Sequence, residues 1–270
     1  MSGVSRFGGS NPPLSAIDIY RGDPLEELFF KIFEALPRQG PGDPKSMQKA
    51  YKKLKLLPVH PDILDVGCGT GGQTLMLEFI SGGNITAIDN HRPFIEILKK
   101  KAAKAGYKER IKCIVKDMKA MDFANESFDL IWCEGAAYFM GINNALSEWK
   151  PFLRTGGYVV ISELVWFKKE VPRQTRSYFE NEYPEMQYYS NIFPLIENAG
   201  YKKIAYFALP RQSWWDYYYL PIMKKIEEIS PDYYGDKNAK EVFDIILLEM
   251  DMHRKYSEFY GYGFYIMRKE

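Results

Sequence analysis

Cysteine and histidine are scarce in this 270-residue chain, three of each, and their placement excludes whole classes of site. Cys68, Cys113 and Cys133 cannot all pair, no two stand at C-x-x-C spacing, and each falls in or beside a strand-like run. They read as free, mostly buried thiols of a reducing compartment. His60, His91 and His253 lie far apart with no Cys or Asp at metal-ligand spacing, so no metal is expected. His91 reads as a surface residue at a helix start. An excess of charge is missing too: 36 Lys and Arg balance 35 Asp and Glu, for a net charge of +1. Such a surface offers no broad field for a nucleic-acid backbone or an acidic membrane, which leaves a small-molecule substrate as the expected partner. Lys99, Lys100, Lys101 and Lys104 read as the solvated outer face of a helix. No stretch approaches the ~18 apolar residues of a membrane span. Residues 1–10 also lack the basic-then-apolar pattern of a secretory leader. A cytoplasmic monomer or homodimer is the expectation.

What is present is a large apolar complement, 46% hydrophobic and 16% aromatic, enough to bury a full core in one domain. From Ile63 onward short apolar runs alternate with helix-sized segments, the pattern of parallel strands joined by crossover helices. Strands are expected at 63–66, 85–88, 111–115, 128–133, 157–162, 203–208 and 263–267, giving an α/β, doubly wound sheet. The glycine-rich loop opens a helix through 75–80, and Pro93 starts another that closes at Gly106. Asn143 or Asn144 is the expected cap of a third, ending before Gly156. Ahead of the sheet, Asp23-Pro24 and Asp43-Pro44 each place a capping carboxylate before a proline, so two helices flank a loop at residues 38–42. These helices either close over a site or cover a sheet edge. The expected organisation is a single domain, 1–270: an N-terminal helical cover (14–60), the core with the glycine loop (61–209), a helical insertion (210–261) and a last strand (262–270). The insertion is longer than adjacent antiparallel strands require, and it reads as a cap beside the site.

Gly67, Gly69 and Gly71 follow a strand and precede a helix, where a backbone free of side chains lets a ligand approach unpaired amides. The loop alone is ambiguous, because Gly67, Gly69 and Gly72 also satisfy the G-x-G-x-x-G of dinucleotide-binding enzymes. Asp65, just ahead of the glycines, would repel a pyrophosphate. It would attract the ammonium and sulfonium of S-adenosylmethionine, directly or through water. Asp89, at the end of the next strand, can accept from both hydroxyls of a ribose. After the third strand, the Asp117 carboxylate can accept from an adenine amino group while the Met118 amide donates to a ring nitrogen; Asp117 can equally start a turn before Lys119.

With these residues in series, the stretch 61–162 resembles the class I S-adenosylmethionine-dependent methyltransferases. Residues 63–72 are similar to their first motif, 85–90 to the ribose-binding segment, 115–118 to the adenine-binding one, 128–134 to the fourth-strand motif and 153–158 to the turn before strand five. The plan resembles small-molecule enzymes of quinone biosynthesis. The 38–42 loop, Cys133-Glu134-Gly135-Ala136 and Tyr260-Gly261-Tyr262-Gly263-Phe264 resemble a group of uncharacterised prokaryotic members. The resemblance implies a Rossmann-like, mostly parallel seven-stranded sheet whose last strand is antiparallel. It implies S-adenosyl-L-methionine as cofactor, S-adenosyl-L-homocysteine as product, and Arg38, Gln39, Asp65, Gly67, Gly69, Gly71, Gly72, Gln73, Asp89, Asn90, Asp117, Met118 and Glu134 as its binding set.

On the acceptor side the candidates are Glu134 and Glu163, at the ends of strands four and five, and Tyr138. Either carboxylate can take a proton or fix a cationic acceptor, and Glu134 can instead hold the methionine ammonium. Tyr138, Trp166, Trp214 and Tyr217 either wall an acceptor or pack. Two other functions stay open: a Rossmann oxidoreductase linked to NAD(P), and a non-catalytic module that binds S-adenosylmethionine.

Overall fold

A computed structural model describes residues 24–270, with side chains from Glu27 onward except that of Asn181. Asp23 and the first ten residues of the expected N-terminal cover lie outside the described residues. Seven strands, β1 (Asp62–Val66), β2 (Asn84–Asp89), β3 (Ile111–Val115), β4 (Phe128–Glu134), β5 (Leu153–Trp166), β6 (Tyr201–Ala208) and β7 (Tyr260–Lys269), form one sheet. Their order is β3-β2-β1-β4-β5-β7-β6. β1 to β5 pair in parallel, and β7 runs antiparallel between β5 and β6. The order reverses between β1 and β4, so a crevice opens at their carboxyl ends, where doubly wound sheets hold ligands.

Consecutive strand residues bury on opposite faces. Ile63, Ile85, Leu130 and Trp132 go into one core, and Leu64, Ile88, Ile131 and Cys133 into the other. Both faces are covered, which is why the strands read as continuous apolar runs. The first core is covered by α1 (Pro24–Phe33), α2 (Pro44–Tyr51), α3 (Gly72–Ser81) and α4 (Arg92–Lys104), and the second by α5 (Ile142–Trp149) and α7 (Ile192–Asn198). Between β5 and α7 runs α6 (Arg173–Glu182).

Three local readings are corrected. β5 reaches well beyond residues 157–162, because β7 pairs with it from Tyr158–Arg268 to Trp166–Tyr260 and the ladder continues. Gly141, not Asn143 or Asn144, caps α5; the Asn144 amide instead donates to the Met140 carbonyl at 3.0 Å from inside the helix. Lys101 is not on a solvated face: its Nζ donates to the Thr70 carbonyl at 3.0 Å and to Thr70 Oγ1 at 2.9 Å, pinning α4 to the glycine loop. Asp43 caps α2 as expected, accepting from the Ser46 amide at 2.8 Å.

The 210–261 segment is helical: α8 (Arg211–Trp214), a wider π turn (Trp215–Tyr219), α9 (Leu220–Ile229) and α10 (Lys237–Tyr256). The π turn lies directly before Pro221, which has no N–H to give the helix ladder, so the bulge lets the helix continue. α9 and α10 pack on α1. Ser213 Oγ donates to Asp43 Oδ2 at 2.6 Å, so the cap of α2 also joins the N-terminal helices to the insertion. Among the described residues no helix is long and apolar enough to cross a membrane.

Candidate active site

The Gly67 and Cys68 amides both donate to the Ile88 carbonyl, at 2.9 and 3.0 Å, which turns the chain from β1 across the end of β2. Gly69 lies at φ +53°, and a Cβ there would stand 2.2 Å from Gln39 Oε1, so only glycine lets residues 37–42 lie against the loop. Gln39 uses this closeness. Its Oε1 accepts from the Thr70 amide at 2.7 Å, and its Nε2 donates to Thr70 Oγ1 and to the Phe33 carbonyl at the end of α1. The glycine loop is thus held by α1 on one side and by Lys101 of α4 on the other.

A cleft of about 250 Å³ opens over this loop. Of the residues expected from the sequence, Arg38, Gln39, Gly67, Gly69, Gln73, Asp89, Asn90, Asp117, Met118, Glu134 and Tyr138 line it. Asp65, Gly71, Gly72 and Glu163 do not. Gly71 meets Leu98 and Gly72 meets the Pro37 carbonyl, as packing positions. Asp65, expected to face a cationic ligand group, is fully buried beneath the loop, with Oδ2 accepting from Thr74 Oγ1 at 2.6 Å. Glu163 is turned away from the cleft, its Oε1 taking the Tyr183 hydroxyl and the Leu164 amide, both at 3.1 Å. Neither stands at the last position of its strand: Asp65 is followed by Val66 in β1, and Glu163, expected at the end of strand five, lies inside β5 opposite Gly263 of β7. Trp166, Trp214 and Tyr217 also lie off the cleft: Trp166 meets Phe179, Trp214 stacks on His253 at 4.2 Å, and Tyr217 is exposed.

Asp89 is the best organised acceptor. Its Oδ2 takes the Gly69 amide and its Oδ1 the His91 amide, each at 2.9 Å, so the carboxylate is fixed in place and still has lone pairs to offer. Burial pushes its pKa up, while the two amides pull it down. Asp117 both begins a turn, accepting from the Lys119 amide at 2.8 Å, and lines the cleft with Met118. Glu134, expected as a proton acceptor or a ligand for an ammonium, is already paired. Its Oε2 lies 2.6 Å from the Arg38 guanidinium, and Trp132 Nε1 donates to its Oε1 at 2.8 Å.

The sequence reading missed several wall residues, among them His91, Phe94, Lys116, Phe139 and Tyr262. His91 is stacked on Phe30 of α1 at 3.8 Å with an interplanar angle of 6°, and its Nε2 lies 2.7 Å from Glu34. Its place directly after Asp89-Asn90 was the available signal. Tyr262 arrives from β7; the Tyr260–Phe264 motif marked it, but nothing local indicated that it faces the cleft. The insertion itself contributes no residue to the wall; it packs behind, with Trp214 5.3 Å from Tyr262.

Buried without a charged partner, Asp65 has its pKa raised to about 7, with burial the main cause and the Thr74 hydroxyl opposing it. The folded chain therefore holds this proton more tightly than the unfolded chain, and ionisation weakens the fold as pH climbs from about 4 toward 7. Asp65→Asn is accordingly expected to be neutral at pH 4 and stabilising at pH 8 in thermal melts without ligand. A stabilisation confined to low pH would contradict this environment.

The sheet order, the antiparallel strand inserted beside β5 and the carboxylate-anchored glycine loop define a Rossmann-like, nucleotide-type binding fold. A family model described as a methyltransferase domain matches residues 63–157. A ubiquinone/menaquinone biosynthesis C-methyltransferase of Geotalea daltonii is 31% identical over 198 residues, 70% of this chain and 80% of that protein. A sterol 24-C-methyltransferase of Pneumocystis carinii is 32% identical over 108 residues, covering 40% of this chain and 29% of that protein. A methyltransferase of Streptomyces halstedii is 26% identical over 119 residues, covering 44% and 42% respectively. The chain thus spans less than half the length of these last two relatives. Among solved structures, a methyltransferase of Geobacter sulfurreducens in complex with S-adenosyl-L-homocysteine matches with a TM-score of 0.77 at 21% identity, covering 90% of this chain and 98% of that one. At that identity the likeness establishes the fold. The chain belongs to the class I S-adenosylmethionine-dependent methyltransferases and is similar to those of quinone biosynthesis.

Proposed function

We propose that the chain transfers the methyl group of S-adenosylmethionine to a small-molecule acceptor and releases S-adenosylhomocysteine. The observation that carries this reading is Asp89, oriented by the Gly69 and His91 amides on a cleft wall that continues to Asp117 and Met118. These residues fit the cofactor. Asp89 would hold the two ribose hydroxyls, and Asp117, with one oxygen on the Lys119 amide, would keep the other for the adenine amino group. Met118 would give a ring nitrogen its backbone amide. The Gly67–Gly69 backbone, with Gln73 donating to the Gly67 carbonyl at 3.3 Å, would border the amino-acid part.

When bound, S-adenosylmethionine supplies a methyl group on a sulfonium, already a good leaving group. The chain's work is therefore orientation and exclusion of water more than covalent help. Arg38 and Glu134 neutralise each other beside the cleft, and Tyr138, Phe139 and Tyr262 give it an aromatic side. Trp214 of the insertion packs behind Tyr262, 5.3 Å away, which supports an acceptor on that side of the cleft.

Calorimetry with S-adenosylmethionine, S-adenosylhomocysteine and NAD tests the proposal. Binding of both sulfur compounds and not of NAD is expected. Binding of NAD alone favours the oxidoreductase reading, and binding without any turnover when methyl-labelled cofactor is screened against metabolite pools favours a non-catalytic module.

A further inference from the structure

The cofactor reading uses one end of the cleft. Along the carboxyl edge of the sheet, Asp117 and Met118 follow β3, Asp89 ends β2 and the glycine loop follows β1. Past β4 the wall continues with Gly135, Ala136, Tyr138 and Phe139, and β7 adds Tyr262. This end remains for the acceptor.

Tyr262 brings to it a polar group in a fixed place. The residue is 2% exposed, with Trp214 5.3 Å behind its ring, and its carbonyl accepts from the Leu209 amide at 2.8 Å. In front of it, a Cβ on Gly135 would stand 3.2 Å from the Tyr262 hydroxyl oxygen. Gly135 lies at φ +63°, so the turn after β4 calls for glycine and leaves the phenol uncovered on the cleft side. The hydroxyls of Tyr218 and Tyr260 are sealed in the interior, whereas that of Tyr262 keeps access to the cleft. Among the described residues nothing hydrogen-bonds to it. Burial pushes its pKa well above the usual phenol value, so it stays a neutral O–H donor.

Native interiors satisfy nearly all their enclosed polar groups, so a fixed donor without a protein partner that opens on a cavity marks the place of a ligand atom. The surroundings limit what that ligand can be. Tyr138 and Phe139 are aromatic, and Arg38 and Glu134, next along the wall, are paired with each other at 2.6 Å. Neither charge is free to hold an ion, whereas an oxygen lone pair suits the phenol.

We propose that Tyr262 selects the methyl acceptor by donating its hydroxyl hydrogen to an oxygen of an uncharged substrate that lies against Gly135, Tyr138 and Phe139. The inference rests on the methyltransferase reading and names a specificity-determining residue and a substrate class. An analogue without the oxygen leaves the enclosed hydroxyl unpaired and is rejected. The insertion then acts on specificity without touching substrate, because its Trp214 fixes the ring that carries the donor.

The test is ligand-observed NMR on the full chain, with and without saturating S-adenosylhomocysteine. The probes are phenol against toluene, benzyl alcohol against ethylbenzene, and acetophenone against α-methylstyrene, each pair alike in shape and differing by the oxygen. In Tyr262→Phe at least one oxygen probe is expected to lose about fivefold or more in affinity relative to its hydrocarbon partner, while S-adenosylhomocysteine affinity stays within about twofold. On the unaltered chain, nuclear Overhauser contacts between that probe and the Tyr262 ring are expected, a readout that needs no variant to fold. The proposal is overturned if no probe binds, if Tyr262→Phe leaves the ratio of every pair unchanged, or if S-adenosylhomocysteine affinity falls with the hydroxyl, which gives that group to the cofactor. Failure of S-adenosylhomocysteine to bind the unaltered chain is read separately and removes the methyltransferase proposal.

Discussion

Arg38→Ala is expected to cost the folded chain about 3–5 kcal/mol, the loss typical of stripping one partner from a buried ion pair. The side chain of Glu134 is 2% exposed and that of Arg38 10%, and the guanidinium lies 2.6 Å from Glu134 Oε2. Without it, Trp132 Nε1 remains as the one donor to the carboxylate among the described residues, and Glu134 must then stay charged with little access to water or take up a proton. Adding Glu134→Gln should recover most of the loss, because the amide oxygen still accepts from Trp132 and no charge is stranded. Gly42 belongs to the same unit: a Cβ there would stand 2.0 Å from the Arg38 guanidinium nitrogen and 2.8 Å from Glu134 Oε2. Chemical denaturation measures all of these. A loss for Arg38→Ala below about 1 kcal/mol, in the range of exposed pairs, would show that water takes over and that the pair is not structural.

Asp89→Ala is expected to weaken S-adenosylmethionine binding by about 10- to 150-fold, or about 1.5–3 kcal/mol, the range for hydrogen bonds to a charged group. The effect has two sources that Asp89→Asn separates. The carboxylate is expected to take the ribose hydroxyls, and it also holds the Gly69 and His91 amides, which shape the loop. An asparagine keeps one acceptor oxygen and loses the charge, so its affinity should fall between that of the parent and of the alanine variant. Equal affinity for all three in calorimetry would sink the ribose assignment.

All seven strands were legible as apolar runs, most plainly β1, β4 and β5, which are buried on both faces, as was the Asp43 cap, whose Ser46 partner lies in the next turn. Two of the readings that failed depended on partners distant in sequence. β5 is long because β7 lies along it, and Lys101 is half-buried because its ammonium reaches Thr70 of the glycine loop. Within the candidate site, Asp89 and Asp117 could be placed because a strand end followed by a turn aims the side chain locally. Asp65 and Glu163 looked equally suggestive yet lie off the cleft, Glu163 because pairing with β7 carries β5 on to Trp166. His91 and Tyr262 owe their places to α1 and to β7, elements far from the motifs.

The position of β7 in the sheet has a consequence for the chain as it is made. The fourteen residues of β5 find their second neighbour only when β7 arrives, and β6, synthesised earlier, has no place to dock until then. A nascent chain therefore carries a long, apolar open strand edge while the whole insertion is being translated, a hazard for intermolecular pairing. The cofactor loop can assemble from residues already made, whereas the wall bearing Tyr262 closes last. Synthesis thus completes the glycine-loop half of the cleft before the half that β7 supplies.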